Sequence, residues 1–342
     1  MPDSRARCGK TFVLCGFDCD LLARFPLDPA RWWVSLTRMV RKDAIDLGGA
    51  MGLVVFATVL AFNQVVIKVT NDGFGPVFAA GLRSGFALLV LALWLWVRGR
   101  KLEGLRRTFW PGLLLGGLFT IEFIFLFIAL DLTTVSRVSI VFYSMPVWLA
   151  LIAHFTLPGE TLSWRRVLGL VLAMAGVIWA LFDPQSRQAG SLLGDGLALL
   201  AAFAWAGIAL TVRLTKVSEL TPESQLFWQL SVSVVGLLAV APLFGDLLRD
   251  PTALHIAGLG FQAVFVASLG FLFWLRLMTI YPASDIAAFS FLSPVLSVAM
   301  GWMLLDEPVG PGFIGAMCLV AVGIVLINRR RKPAAQVPQN VA

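Results

Sequence analysis

Charge is what this chain is short of. Only 14% of its 342 residues are Asp, Glu, Lys or Arg, against about 25% in soluble globular domains. Hydrophobic residues make up 58%, and the mean hydropathy is +0.85. These values exclude an ordinary soluble enzyme. Histidine is scarcer still: His154 and His255 are too few to build a metal centre. The four cysteines (Cys8, Cys15, Cys19 and Cys318) make no disulfide framework, and the C-x6-C-x3-C spacing of the first three fits no usual zinc pattern. The chain also lacks a phosphate-cradling glycine loop and a Ser/His/Asp set, so no catalytic residue, cofactor or metal is expected. The formal net charge of +7 is spread over short loops rather than gathered on one surface. It reads as a topology signal, not as a nucleic-acid footprint.

Long apolar runs are what the chain has in abundance. Ten lie near residues 46–69, 75–97, 110–130, 134–156, 165–182, 191–213, 223–243, 255–278, 282–305 and 309–328. About 20 residues of helix cross a hydrocarbon layer of about 30 Å. Within lipid the backbone must satisfy its own hydrogen bonds, which leaves helices or a closed barrel; barrel strands would alternate in polarity over about ten residues. The expected fold is an all-α membrane protein of ten transmembrane helices with short connections, in contact with the lipid bilayer. With the N-terminus inside, seventeen basic residues fall on the cytoplasmic side, including Arg98 to Arg107 and Arg329 to Lys332. Only Lys68, Arg137, Arg187 and Arg249 fall opposite. Both termini are therefore expected in the cytoplasm. Arginine outnumbers lysine 21 to 6, a weak compositional hint of a GC-rich bacterium and hence of its cytoplasmic (inner) membrane.

Residues 1–44 stand apart as a cytoplasmic N-terminal extension. Asp18 and Asp20 interrupt the mildly apolar stretch Thr11 to Leu22, which has no clean cleavage site and so is not read as a signal peptide. Two readings stay open. Either the start is misplaced and Met39 opens the chain proper, or Trp32 and Trp33 belong to an amphipathic surface segment.

The chain carries an internal repeat, residues 45–182 and 183–328, followed by a basic tail over 329–342. At an offset of 148, Ser136 meets Ser284, Pro146 meets Pro294 and Val147 meets Val295. One residue of slippage brings Glu160 to Glu307 and Gly176 to Gly323; at an offset of 146, Pro76 and Arg83 meet Pro222 and Gln229. Five helices per copy is an odd number, so the second copy enters the membrane from the opposite side. Such inverted repeats, with helices broken at matching places, mark secondary transporters that hold substrate near the bilayer midplane. Pro146 and Pro294 are the expected helix breaks, a packing kink being the plainer reading.

Several short motifs carry a family likeness. They are Ala61-Phe-Asn-Gln-Val-Val-Ile-Lys68, Gly81-Leu-Arg-Ser84, Tyr143-Ser-Met-Pro146, Pro158-Gly-Glu160, Leu292-Ser-Pro294 and Asp306-Glu-Pro308. Over about residues 45–330 the chain resembles the EamA-type branch of the drug/metabolite transporter superfamily. That resemblance implies an exporter of amino acids, metabolites or drugs working by alternating access. Neutral or aromatic amino acids are the first expectation. Drugs or other metabolites are the alternative cargo, and a non-transporting scaffold or an intramembrane enzyme are the competing classes. The oligomeric state is left as monomer or homodimer.

Glu122, within GLFTIEFIFLF, is the most informative single residue. A carboxylate at that depth must face a cavity, pair with a cation or stay protonated. Its counterpart in the second half is Gly270, so the scaffold does not require it. It is read as a substrate ligand or a proton-coupling group, with a buried ion pair to Arg83 as the structural alternative. Arg83 could hold a substrate carboxylate or merely neutralise Glu122. Asn63, Tyr143 and Gln229 are read as polar substrate contacts, and Ser293 as part of a serine stripe beside Pro294. Trp205, with Phe142 and Phe291, is a candidate aromatic wall. Interhelical hydrogen bonding and packing are the plain alternatives for these side chains. Lys68 is expected to snorkel to the outer surface, and Asp131 and Arg137 to do no more than flank an outer turn.

Overall fold

A computed structural model describes residues 46–156, 163–183, 190–281 and 292–328. The N-terminal extension, the Pro158–Glu160 motif, Ser284, Ser290, Phe291 and the basic tail lie outside those residues. The described chain is helical: α1 Leu47–Gly73, α2 Pro76–Arg98, α3 Phe109–Leu132, α4 Val135–Phe142, α5 Met145–Thr156 and α6 Trp164–Phe182 in the first half. The second half has α7 Leu192–Leu214, α8 Pro222–Val240, α9 Ala253–Phe261, a π-helical stretch Gln262–Gly270, α10 Phe271–Ile280, α11 Leu292–Leu305 and α12 Pro311–Asn328. Eight helical runs are long and apolar enough to cross a membrane, counting α4 with α5 and α9 with the π stretch and α10; α11 and α12 are shorter apolar helices. This is a multi-pass membrane protein.

Helix starts follow ordinary capping chemistry. Asp46, Ser191 and Thr221 each accept a backbone N–H from the first turn of α1, α7 and α8. Pro76 and Pro222 occupy first-turn positions, where the missing N–H costs nothing. In the fourth span α4 ends at Phe142 and α5 begins at Met145, so the break falls one turn before Pro146. That is where an interior proline frees a carbonyl and clashes with the preceding turn. Pro294 lies in the first turn of α11, with the residues before Leu292 outside the described chain.

Packing follows small residues. α6 lies along α12, and the contact depends on Gly176 and Gly323: a Cβ on Gly176 would come within 2.7 Å of the Ala316 carbonyl, and one on Gly323 within 2.5 Å of the Ala173 nitrogen. α3 packs on α7 and α8. Gly112 and Gly116 make room there for Trp228 and Val232, whereas a Cβ on Gly85 would meet Val234 at an ordinary 3.9 Å. Pairings recur when the halves are exchanged: α3 on α7 matches α9 on α1, and α11 on α1 matches α4 and α5 on α7. α2 with α8, and α4 with α11, map onto themselves.

One end of the bundle is closely stitched. Phe74 and Leu248 form an antiparallel bridge, in which Gly75 N–H donates to Leu247 O and Arg249 N–H to Gly73 O. Arg249 also pairs with Asp131 at 2.8 Å. The π-helical stretch, which no local pattern announces, places Ser268 so that its hydroxyl donates to Ala263 O and Ala87 O. Gln262 meanwhile donates to Thr70 Oγ1.

Candidate functional site

Buried polar side chains converge where α1, α2, α3, α4 and α11 meet. Tyr143 stands at the break between α4 and α5, 5% exposed, with its hydroxyl in reach of the Gln64 and Ser293 side chains. Glu122 lies within electrostatic reach of it. Gln64 comes from α1, Glu122 from α3, and Ser293 from the first turn of α11, directly before Pro294. The two proline-bearing helices thus bring Tyr143 and Ser293 together. The Gln64 carbonyl oxygen has no hydrogen-bond partner among the described residues.

Arg83, on α2, completes the group. It is 0% exposed, and none of its three guanidinium nitrogens has a hydrogen-bond partner among the described residues. Its guanidinium carbon lies 3.7 Å from the centroid of the Phe123 ring, with Phe127 at 5.5 Å and Phe119 at 6.0 Å. Stacking on a desolvated ring returns about 2 kcal/mol, less than the several kcal/mol that burying an unpaired charge costs. Glu122, one helical step from Phe123, acts on Arg83 through space but makes no hydrogen bond to it. The buried ion pair, the structural alternative for Glu122, is therefore not closed. The ring faces fill one side of the guanidinium and leave its edge donors unused.

An aromatic cluster lies beside the polar one. Trp205 of α7 stacks on Phe142 with centroids 4.8 Å apart and meets Tyr143 edge-on at 5.9 Å. Polar groups from the first half and an aromatic plate from the second therefore share Tyr143 as a neighbour.

The model of the EamA-like transporter family matches the chain twice, over residues 47–182 and 192–329. The chain belongs to the EamA-like transporter family. A protein of Escherichia coli K12 named as a probable amino-acid metabolite efflux pump is 29% identical to this transporter, across 84% of this chain and 95% of its own. An uncharacterized transporter of Bacillus subtilis, YoaV, is 23% identical across 81% and 95%. A crystal structure 19% identical in sequence superposes with a TM-score of 0.60, covering 81% of this chain and 97% of the other; that likeness concerns the fold alone. The family and its named relatives are transporters or efflux pumps, not enzymes.

The remaining candidates of the transporter divide. Asn63 and Gln229 are buried, each with a side-chain oxygen unpartnered among the described residues, but neither is among the groups that meet Tyr143. Gln64 was missed by the sequence reading in favour of its neighbour Asn63. Adjacent residues on a helix point about 100° apart, and nothing in the dipeptide says which one faces inward. Lys68 is part-buried and has partners at the helix end: its ammonium donates to Leu130 O at 2.9 Å and Thr133 O at 2.7 Å, capping the C-terminus of α3. Arg137 does more than flank a turn. It is 1% exposed, donates from Nε to Asp195 at 3.1 Å, forms a close Nη2 contact with the same carboxylate, and donates to Leu181 O.

Proposed function

We propose that this chain is a ten-span secondary transporter that exports small amphipathic metabolites, neutral or aromatic amino acids first among them, by alternating access. In this reading the two repeats, residues 45–182 and 183–328, are inverted relative to one another in a bacterial inner membrane. The 1–44 extension, the 329–342 tail and both termini are cytoplasmic. Recurrence of the helix pairings under exchange of the halves supports the repeat, and the odd number of spans per copy requires the inversion.

The observation that carries the substrate reading is a buried cation and a buried carboxylate that do not bond one another. Arg83 offers edge donors to a substrate carboxylate; Glu122 offers a counter-charge to an ammonium, or takes up a proton as the coupling group. Tyr143, Gln64 and Ser293 orient polar atoms, while Trp205 and Phe142 accept an apolar or aromatic side chain. Asn63 and Gln229 flank this group as further polar contacts. Pro146 and Pro294 set the broken helices that rock to change access. An efflux-pump relative named for amino-acid metabolites points the same way.

Counterflow tests it. Proteoliposomes preloaded with unlabelled neutral and aromatic amino acids should accumulate the labelled pool with the wild-type protein and lose that accumulation with Glu122→Gln. Full activity of Glu122→Gln across several pH values would remove this carboxylate from the pathway. Absence of uptake for every pool member would move the cargo to drugs or other metabolites.

A further inference from the structure

Glu307 is a carboxylate that the substrate cluster does not use. It follows α11, and the sequence reading noted it as the repeat partner of Glu160 and within the Asp306-Glu-Pro308 motif, with no role attached. It is 6% exposed and folds back onto α4, the broken helix that carries Tyr143. Its Oε1 accepts the Val135 N–H at 2.6 Å; its Oε2 accepts the Ser136 N–H at 2.9 Å and the Ser136 hydroxyl at 2.6 Å. The Arg137 N–H goes to the Thr134 hydroxyl. The N–H groups of Val135, Ser136 and Arg137 in the first turn of α4 are thus each taken, two of them by a residue 171 positions away or more. A negative charge at a helix N-terminus is also favoured by the helix dipole.

The local chain is built to deliver this carboxylate. Asp306 adopts a left-handed conformation, φ 52°, which reverses the chain at the end of α11. Glu307 N–H then donates back to Gly301 O at 3.2 Å. Gly301 is needed for the approach: a Cβ there would lie 2.5 Å from the Glu307 carboxylate and 3.1 Å from Ser136 Oγ. A non-glycine residue held at positive φ is a cost that persists only where its surroundings enforce it.

From this geometry we infer that Glu307 is the latch of the outer gate: its grip on α4 keeps the outer end shut, and its release lets α4 and α11 part so that the site opens outward. The inference rests on the alternating-access reading above. Gln64, Arg83, Glu122, Tyr143 and Ser293 are all buried in this structure, so cargo reaches them only when helices separate. The latch joins the first segment of the broken fourth span to the end of the span that carries Pro294, one from each half. It sits at the end of α4, where water can take over the freed N–H groups, so opening leaves no donor stranded. Glu307 acts through α4 and touches no substrate; it is a positioning residue.

Cysteine accessibility tests the latch without any substrate. In a chain whose four native cysteines are replaced, Ser139→Cys places a reporter about one turn inward from Ser136, at a position 0% exposed. In spheroplasts, a membrane-impermeant maleimide should label the reporter slowly in the parent and about tenfold faster with Glu307→Gln, roughly the worth of one charge-assisted hydrogen bond. Ser136→Ala, which removes only the hydroxyl contact, should give a smaller increase in the same direction and covers the case in which Glu307→Gln fails to fold. Equal labelling rates in folded Glu307→Gln and parent, or in Ser136→Ala and parent if the glutamine variant does not fold, overturn the inference. Faster labelling in a protein that carries no amino acid upholds the latch while removing the proposed cargo.

Discussion

Two arginines of the first half are fully buried, and they are opposites. Arg137, at the start of α4, is held by Asp195 of α7 and by the Leu181 carbonyl at the end of α6. Arg83, in the middle of α2, rests on phenylalanine faces with its edge donors unused. Burial alone does not distinguish them; partners do. A paired buried charge belongs to the architecture, since breaking it leaves an uncompensated ion. An unpaired one reduces stability, and the proposal is that this carrier keeps it for a ligand. The repeat makes the same point, because the positions matching Arg83 and Glu122 in the second half are Gln229 and Gly270. The same scaffold folds there without either charge.

This contrast can be broken by experiment. The largest effect belongs to Arg137→Ala, which should lower stability by about 3–5 kcal/mol as Asp195 loses its partner. Thermal unfolding in detergent would read that, together with a fall in the yield of folded protein. Arg83→Gln should do the reverse: a melting point that rises rather than falls, because a buried unpaired charge is removed, with counterflow reduced at least about tenfold. Double-mutant cycles sharpen the difference. The coupling between Arg137 and Asp195 should reach about 2–3 kcal/mol, and that between Arg83 and Glu122 should stay below about 1 kcal/mol because no hydrogen bond joins them. The smallest effect is expected of Lys68→Ala, about 1 kcal/mol from the two carbonyl contacts at the end of α3, with transport rates unchanged.

Features written in local pattern were the ones the sequence reading could reach. Hydropathy located α1 to α3, α6 to α8 and α12 to within four residues at either end, since a run of apolar side chains long enough to cross lipid leaves little choice of boundary. Proline marked the break near Tyr143, one turn before Pro146. Features made by distant partners were not legible. Nothing near Arg137 announces Asp195, 58 residues on, and nothing near Ser136 announces Glu307. A matched depth kept an ion pair between Arg83 and Glu122 open as the alternative, but depth along two helices does not fix how far apart their side chains stand. The π-helical turn over Gln262–Gly270 has no pattern of its own in a stretch that is apolar throughout. Gln64 was lost for a related reason, because helical phase cannot choose between neighbours when both are polar.

The account turns on Arg83 serving the cargo rather than the fold, and counterflow with that residue changed tests this most directly. Wild-type protein and Arg83→Gln would be reconstituted at equal amounts of folded material into proteoliposomes preloaded with unlabelled phenylalanine, and uptake of labelled phenylalanine followed. The predicted result is transient accumulation with the wild type and almost none with the variant. Accumulation at the wild-type rate in Arg83→Gln would contradict the account and return this arginine to the architecture beside Arg137.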